Sequence, residues 1–163
     1  MGYIFGFGIK SVALISGLGL LATLPISGAI ANQSLIAPVA AATVDISISN
    51  LRSTKGDVLV CLSKDPKYFP DCTKDKAARK IKIAASNAEK IHIRDVKPGT
   101  YAVALVHDEN SNGKMDLRLF LPREGFGFTR NPKIGMGPPK FKSAQFTVGV
   151  DDASYAVKMK YIL

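Results

Sequence analysis

Beyond residue 42, apolar and polar residues alternate with a period of two. That pattern belongs to strands with one face in a core and one in water. Val44, Ile46 and Ile48 alternate with Asp45, Ser47 and Ser49; Ile81 and Ile83 flank Lys82; Ile91 and Ile93 flank His92. Ala144, Phe146 and Val148 share one parity, as do Tyr155, Val157, Met159 and Tyr161. Two segments, Val58 to Leu62 and Tyr101 to Val106, are apolar on both parities and read as strands central to a sheet. Turn residues separate the runs at Lys55-Gly56-Asp57, Lys97-Pro98-Gly99 and Val150-Asp151-Asp152. Short strands with such punctuation predict an all-β fold, an antiparallel β-sandwich of about seven strands. Asp71 to Ala78 holds one helical turn or a loop. Leu117 to Lys140, rich in Gly and Pro, reads as a long irregular loop.

The first 42 residues follow another rule. Lys10 is their only charged side chain, and Ser11 to Ala31 is an uncharged, mostly apolar run. A basic start, an apolar stretch and a small-residue exit describe a secretory signal peptide, helical in its apolar part. Cleavage is expected after Ala42, or alternatively after Ala31. The competing reading is a retained membrane-spanning anchor, since the run approaches the ~20 residues a bilayer needs. Residues 43–163 would then be a single β-sandwich domain, preceded by a segment 1–42. That domain has 121 residues and a net charge of +8, the chain's 163 and +9 less the leader and Lys10.

Composition narrows the function classes. Hydrophobic residues make up 47% and charged residues 21%, which excludes a disordered chain. Cys61 and Cys72 are the only cysteines, in neither a C-x-x-C nor a zinc spacing, and two His leave no zinc-finger array. In an oxidising space the pair is expected to form a disulfide, the alternative being two buried thiols. Lys64, Lys67, Lys74, Lys76, Arg79, Lys80 and Lys82 stand against Asp65, Asp71 and Asp75. Such a basic region is either a solvated face or a contact for anionic envelope glycan or lipid. No nucleic-acid motif accompanies it.

The sharpest chemical motif is the segment from Asp108 to Asp116, D-x-N-x-N-G-x-x-D. Oxygen-bearing side chains at alternate positions, with a Gly for the tight turn, can wrap a hard cation. Asp108, Asn110 and Asn112 would supply side-chain oxygens, Lys114 its carbonyl, and Asp116 a carboxylate or a bound water. Leu119 stands where an EF-hand has its bidentate Glu, and a strand precedes the loop. Any Ca²⁺ site here belongs at the weak end, about 10⁻⁴ to 10⁻³ M. The same residues also make an ordinary Asx-rich turn without an ion.

The run from Val96 to Asn110, then Gly113-Lys114-Met115-Asp116, Pro122 to Phe128 and Gly137 to Phe141, resembles an exported bacterial family, domain-of-unknown-function family 2141. The likeness covers essentially the whole chain after the leader, and its most specific part is H-D-E-N-x-N-G-K-x-D. Pro98-Gly99-Thr100-Tyr101 is similar to the P-G-x-Y turn and strand of transthyretin-like and collagen-adhesin-like sandwiches. The resemblance implies export and an immunoglobulin-like or transthyretin-like sandwich, and no reaction. Thr129, Arg130 and the cysteine pair depart from its pattern.

Further ligand candidates are His107, which shares parity with Tyr101, Val103 and Leu105 and is expected to point inward at the strand end, and Glu124, Phe126, Phe128 and Arg130, which could form a stacking platform at a loop tip. Equally, the two Phe could plug the edge of the sandwich. His92 reads as an outward surface residue. No G-x-S-x-G or H-E-x-x-H is present. The leading expectation is therefore a non-catalytic envelope ligand- or partner-binding module with a calcium-type loop. The rivals are a periplasmic hydrolase using His107 with loop carboxylates, and an adhesive module acting through its basic region.

Overall fold

The alternating segments form strands in the computed structural model, which describes residues 41–135 and 137–163. In chain order these are β1 (Ala42–Ser49), β2 (Asp57–Ser63), β3 (Arg79–Ala84), β4 (Lys90–Val96), β5 (Gly99–Asp108), β6 (Leu117–Arg118), β7 (Leu121–Pro122), β8 (Gly125–Phe128), β9 (Phe146–Val148) and β10 (Ala153–Lys158). One short helix, α1 (Phe141–Ala144), precedes β9, and a 3₁₀ turn at Cys72–Lys74 occupies the ambiguous segment after β2. Among the described residues no helix is long and apolar enough to cross a membrane. The expected signal peptide lies almost wholly outside the described residues. Ala42 itself is buried and pairs with Val96, so β1 begins one residue before the expected domain boundary.

Two sheets pack face to face. One has the order β10-β1-β4, the other β3-β2-β5-β8, with β9 paired to the first residues of β5. The two segments apolar on both parities, β2 and β5, are the inner strands of the larger sheet. Between the sheets lies a core of Val44, Ile46, Ile48, Val58, Val60, Leu62, Ile91, Ile93, Val103, Leu105, Val157 and Met159; outside β2 and β5, which are apolar on both parities, these are the parities that alternation assigns inward. A second apolar cluster sits on the outer face of the larger sheet. There Ala102 and Ala104 meet Phe126, Phe128, Phe141 and Ala144, with Phe69, Met115 and Ile134 packed beside them. Both faces of β5 are thus covered, which is why its sequence is continuously apolar.

Cys61 lies on that outer face, opposite Ala104, and forms a disulfide with Cys72 across a separation of 11 residues. The bond holds the 64–78 segment over the sheet. Asp75, buried in that segment, accepts from the Ser63 hydroxyl at 2.6 Å and from the Ala77 and Ala78 N–H groups. The Ser63 hydrogen bond, followed by those two backbone bonds, lowers its carboxyl below the ordinary range.

Three expectations need correction. The sandwich is not wholly antiparallel, because β1 and β10 pair in parallel from Val44↔Ala153 to Ser49↔Lys158. A hairpin forces antiparallel pairing, but β10 arrives by a crossover from β9 in the other sheet and is free of that constraint. Ala144 is helical and joins the outer cluster, so the strand starts only at Phe146. The Gly- and Pro-rich stretch from 117 is not a single irregular loop: it contains the β6–β7 hairpin and strand β8. In β8 the alternation is Gly-Phe-Gly-Phe, with glycines facing inward. A Cβ on Gly125 would lie 2.3 Å from the Tyr161 ring, and one on Gly127 2.7 Å from Val157 Cγ1. The C-terminal segment fills that space. The Met159 N–H donates to Ser49 O, and Phe126 and Lys160 exchange N–H···O bonds of 3.0 and 2.8 Å. Residues 159–161 therefore join the edges of the two sheets.

Candidate functional site

The site forms where β5 ends. His107, the last inward residue of that strand, is fully buried. Its Nε2 lies 2.9 Å from the Lys55 carbonyl, and its Nδ1 2.7 Å from the Tyr161 hydroxyl. A carbonyl only accepts, so Nε2 carries the proton and Nδ1 accepts from Tyr161, whose oxygen accepts in turn from the Arg52 N–H at 3.1 Å. Burial pushes the Tyr161 hydroxyl up. Both ring nitrogens of His107 are thereby taken by structural partners. Gly56 allows this approach, because a Cβ there would lie 2.0 Å from Asp108 O.

Asp108 follows, also buried, and organises the loop. Its Oδ1 accepts from the Asn112 N–H at 3.0 Å and its Oδ2 from the Gly113 N–H at 2.7 Å. Asn110 Oδ1 accepts from Asn112 N–H and Asn112 Oδ1 from Lys114 N–H, so each alternate oxygen holds the backbone two residues on. Positive φ at Ser111 (57°) and Gly113 (82°) bends the chain back. The Asn110 and Asn112 amides donate to Asp116 Oδ2 at 2.8 and 2.9 Å, which lowers the Asp116 carboxyl. All five loop candidates, Asp108, Asn110, Asn112, Lys114 and Asp116, therefore fall in one hydrogen-bonded turn. Among the described residues, no three or more His, Cys, Asp or Glu side chains converge at metal-binding distances. A cation here would meet at most two of these carboxylates as they stand, draw its other oxygens from amides and carbonyls, and displace the two amide donors on Asp116.

Glu124 joins this loop from the residue before β8. It is 4% exposed. Its Oε2 accepts from the Asp116 N–H at 3.1 Å, while its buried Oε1 has no donor among the described residues. Burial, then the charges of Asp108 and Asp116, raise its carboxyl, and the Asp108 carboxyl lies within hydrogen-bond reach. Arg52 closes the neighbouring wall. It reaches Glu109 Oε2 through Nε and Nη2 (3.0 and 2.5 Å), the Leu163 backbone oxygen at 2.6 Å and the Arg123 carbonyl at 3.0 Å, with its guanidinium 4.5 Å over the Tyr161 ring. Ser53 donates to Glu109 Oε1. The Arg52 bond leads the fall of the Glu109 carboxyl. A cleft of ≈ 390 Å³ opens between Arg52, Glu109, Asn110, Asp116, Arg123 and Glu124.

The other candidates are dispersed. Phe126 and Phe128 are buried in the outer cluster, with Phe69 edge-on to Phe128 at 5.9 Å; they sit in a strand, not at a loop tip. Arg130 is exposed just past β8 and points its Nη1 at the Gln145 carbonyl. His92 is on the outer face of β4 and bonds Asp45 at 2.7 Å. The seven basic side chains from Lys64 to Lys82 are exposed in the loop before β3 and along that edge strand, and Lys82 pairs with Asp57 at 3.0 Å. A larger groove of ≈ 560 Å³, lined by Pro66, Phe69, Pro70, Pro138, Pro139 and Phe141 among others, lies apart from the acidic loop. Sequence reasoning overlooked Arg52, Glu109, Arg123 and Tyr161. It named Glu124 but did not connect it with Asp116. The one signal was parity, which places Glu124, Phe126 and Phe128 on the same face of an extended segment.

No curated protein and no solved structure matches the chain. The family model described as "Uncharacterized protein conserved in bacteria (DUF2141)" matches residues 46–156, which span β1 to β10, and the chain belongs to that family.

Proposed function

We propose that this is a non-catalytic exported β-sandwich module whose Asp108–Asp116 loop, completed by Glu124, takes up a hard cation of the Ca²⁺ type and so orders a ligand- or partner-binding end. The observation that carries the reading is the buried Glu124 carboxylate: once ionised, its Oε1 finds no donor among the described residues and faces the Asp108 carboxyl. A buried polar atom without a partner is costly, and a cation is one way to satisfy it. Glu124 supplies the carboxylate that Leu119 cannot, and Asn110, Asn112 and Lys114 supply the neutral oxygens such a cation accepts. The two Asn amides stand in for the ion by donating hydrogen bonds to the Asp116 carboxylate, and their displacement keeps affinity low. The Cys61–Cys72 disulfide is compatible with export to an oxidising space.

The test is thermal melting during a Ca²⁺ titration, with Mg²⁺ as control. At about 10 mM Ca²⁺, a site of ~1 mM affinity stabilises by about 1.4 kcal/mol. The melting temperature is expected to rise with Ca²⁺, less with Mg²⁺, and not at all in Asp108→Asn or Glu124→Gln. An unchanged melting curve for the unsubstituted chain at millimolar Ca²⁺ removes the cation from this reading.

A further inference from the structure

The β6–β7 hairpin protrudes beside the acidic loop and breaks two rules of folded surfaces. Its pairs are Leu117↔Pro122 and Arg118↔Leu121, which leaves Leu119 and Phe120 as the two-residue turn. Both have positive φ, 49° and 67°. Turns of that kind select Asn and Gly, because bulky side chains are strained there. Among the described residues, the two side chains find no apolar cluster to bury them and offset the strain. Leu119 is 83% exposed and Phe120 94%, with Leu117 and Leu121 also exposed, and none of the four belongs to either apolar cluster. Strain retained at exposed apolar positions points to a contact outside the chain.

The flanks identify the contact. Lys114, Arg118 and Arg123 are exposed around the tip, against one acidic residue of the segment, Asp116, whose carboxylate the two Asn amides already hold. The nearby Glu109 is neutralised by Arg52. The hairpin base is anchored, since the Arg123 N–H donates to Asp116 O and the Asp116 N–H to Glu124. An anchored base, an apolar tip and a cationic collar match a bilayer surface: the tip enters the acyl boundary and the cations stay at the headgroups. A stable protein partner would instead need a broad face of roughly 800 Å², which a two-residue convex tip does not offer.

We propose that the Leu117–Arg123 hairpin inserts Leu119 and Phe120 into an anionic lipid surface, with Arg118 and Arg123 on the headgroups. The inserted residues are not proposed cation ligands, but two such ligands, Asp116 and Glu124, hold the hairpin base, so the experiment is run in Ca²⁺-free buffer, where failure of the contact is distinct from failure of the cation site. The experiment is flotation of the full chain with phosphatidylglycerol/phosphatidylcholine vesicles, compared with pure phosphatidylcholine. The chain has no Trp, so F120W gives a single reporter at the tip. Expected results are preferential binding to the anionic vesicles, weakened by salt and by R118Q/R123Q, with a blue shift of F120W fluorescence on binding. L119S/F120S should bind about 10- to 100-fold more weakly with an unchanged melting temperature. The leader is common to all variants, so only differences between them count. Equal binding of the unsubstituted chain and L119S/F120S overturns the proposal, as does binding lost in K80Q/K82Q but kept in L119S/F120S. Self-association abolished by L119S/F120S without vesicle binding also overturns it, and makes a second copy the occupant.

Discussion

His107 is fully buried, with both ring nitrogens hydrogen-bonded inside the fold. Tyr161 and Lys55 take its two nitrogens, and Arg52 completes the chain of hydrogen bonds. Tyr161→Phe removes the donor to Nδ1 and leaves a buried acceptor unpaired, a loss of about 1–3 kcal/mol measurable by urea unfolding. Gly127→Ala should also destabilise, by about 1–3 kcal/mol, because the added methyl meets Val157 and Met159. The buried carboxyls respond to pH with opposite sign. Glu124 is raised by burial, so the folded state favours its protonated form, and the stability it contributes is lost as pH rises through its folded pKa. In Ca²⁺-free buffer, Glu124→Gln is expected to raise the melting temperature at neutral pH and to leave it nearly unchanged in mild acid. Asp75 is lowered, so its contribution is present above the ordinary carboxylate pKa and is lost as pH falls through the folded value. Asp75→Asn should therefore cost more at pH 7 than near pH 3. Melting curves across pH check both signs.

Among the elements, β2, β5 and β8 with the segments laid over them form the most constrained part. The disulfide closes a loop of about a dozen residues, and its reduction should cost roughly 2 to 3 kcal/mol, read as a lower melting temperature in reductant. The β6–β7 hairpin is the least constrained. Replacing its tip by the residues its backbone wants, Leu119→Asn with Phe120→Gly, relieves strain of order 1–3 kcal/mol and should raise the melting temperature while abolishing vesicle binding. Such an exchange of function for stability is the usual outcome where a local rule is broken for function.

Across the whole molecule, the C-terminal segment ties the parts together. It runs parallel to β1, bonds Ser49, bridges to Phe126 and ends with Tyr161 against His107. The Asp108–Asp116 loop and the hairpin both hang from strands it secures. Alternation was enough to read the inward faces of β1 and β4 and the facing of Tyr155, Val157, Met159 and Tyr161, because burial of one strand face imposes a period of two whatever the topology; β2 and β5 were legible as central strands from their continuous apolarity, but which of their faces meets the other sheet was not. The cysteine pairing was equally accessible, since two cysteines admit one bridge. Tertiary structure alone decided the rest. Gly125 and Gly127 look like loop residues until Tyr161 and Val157 are seen filling the space their missing side chains leave. A parallel β10 and an antiparallel one have the same period and differ only in the path of the crossover. Glu124 becomes part of the acidic loop only because β8 places it there, eight residues from Asp116 along the chain and one hydrogen bond away in space. Periodicity records which face of a segment is dry, a property local to each strand; which groups meet across the molecule depends on chain paths that no local pattern encodes.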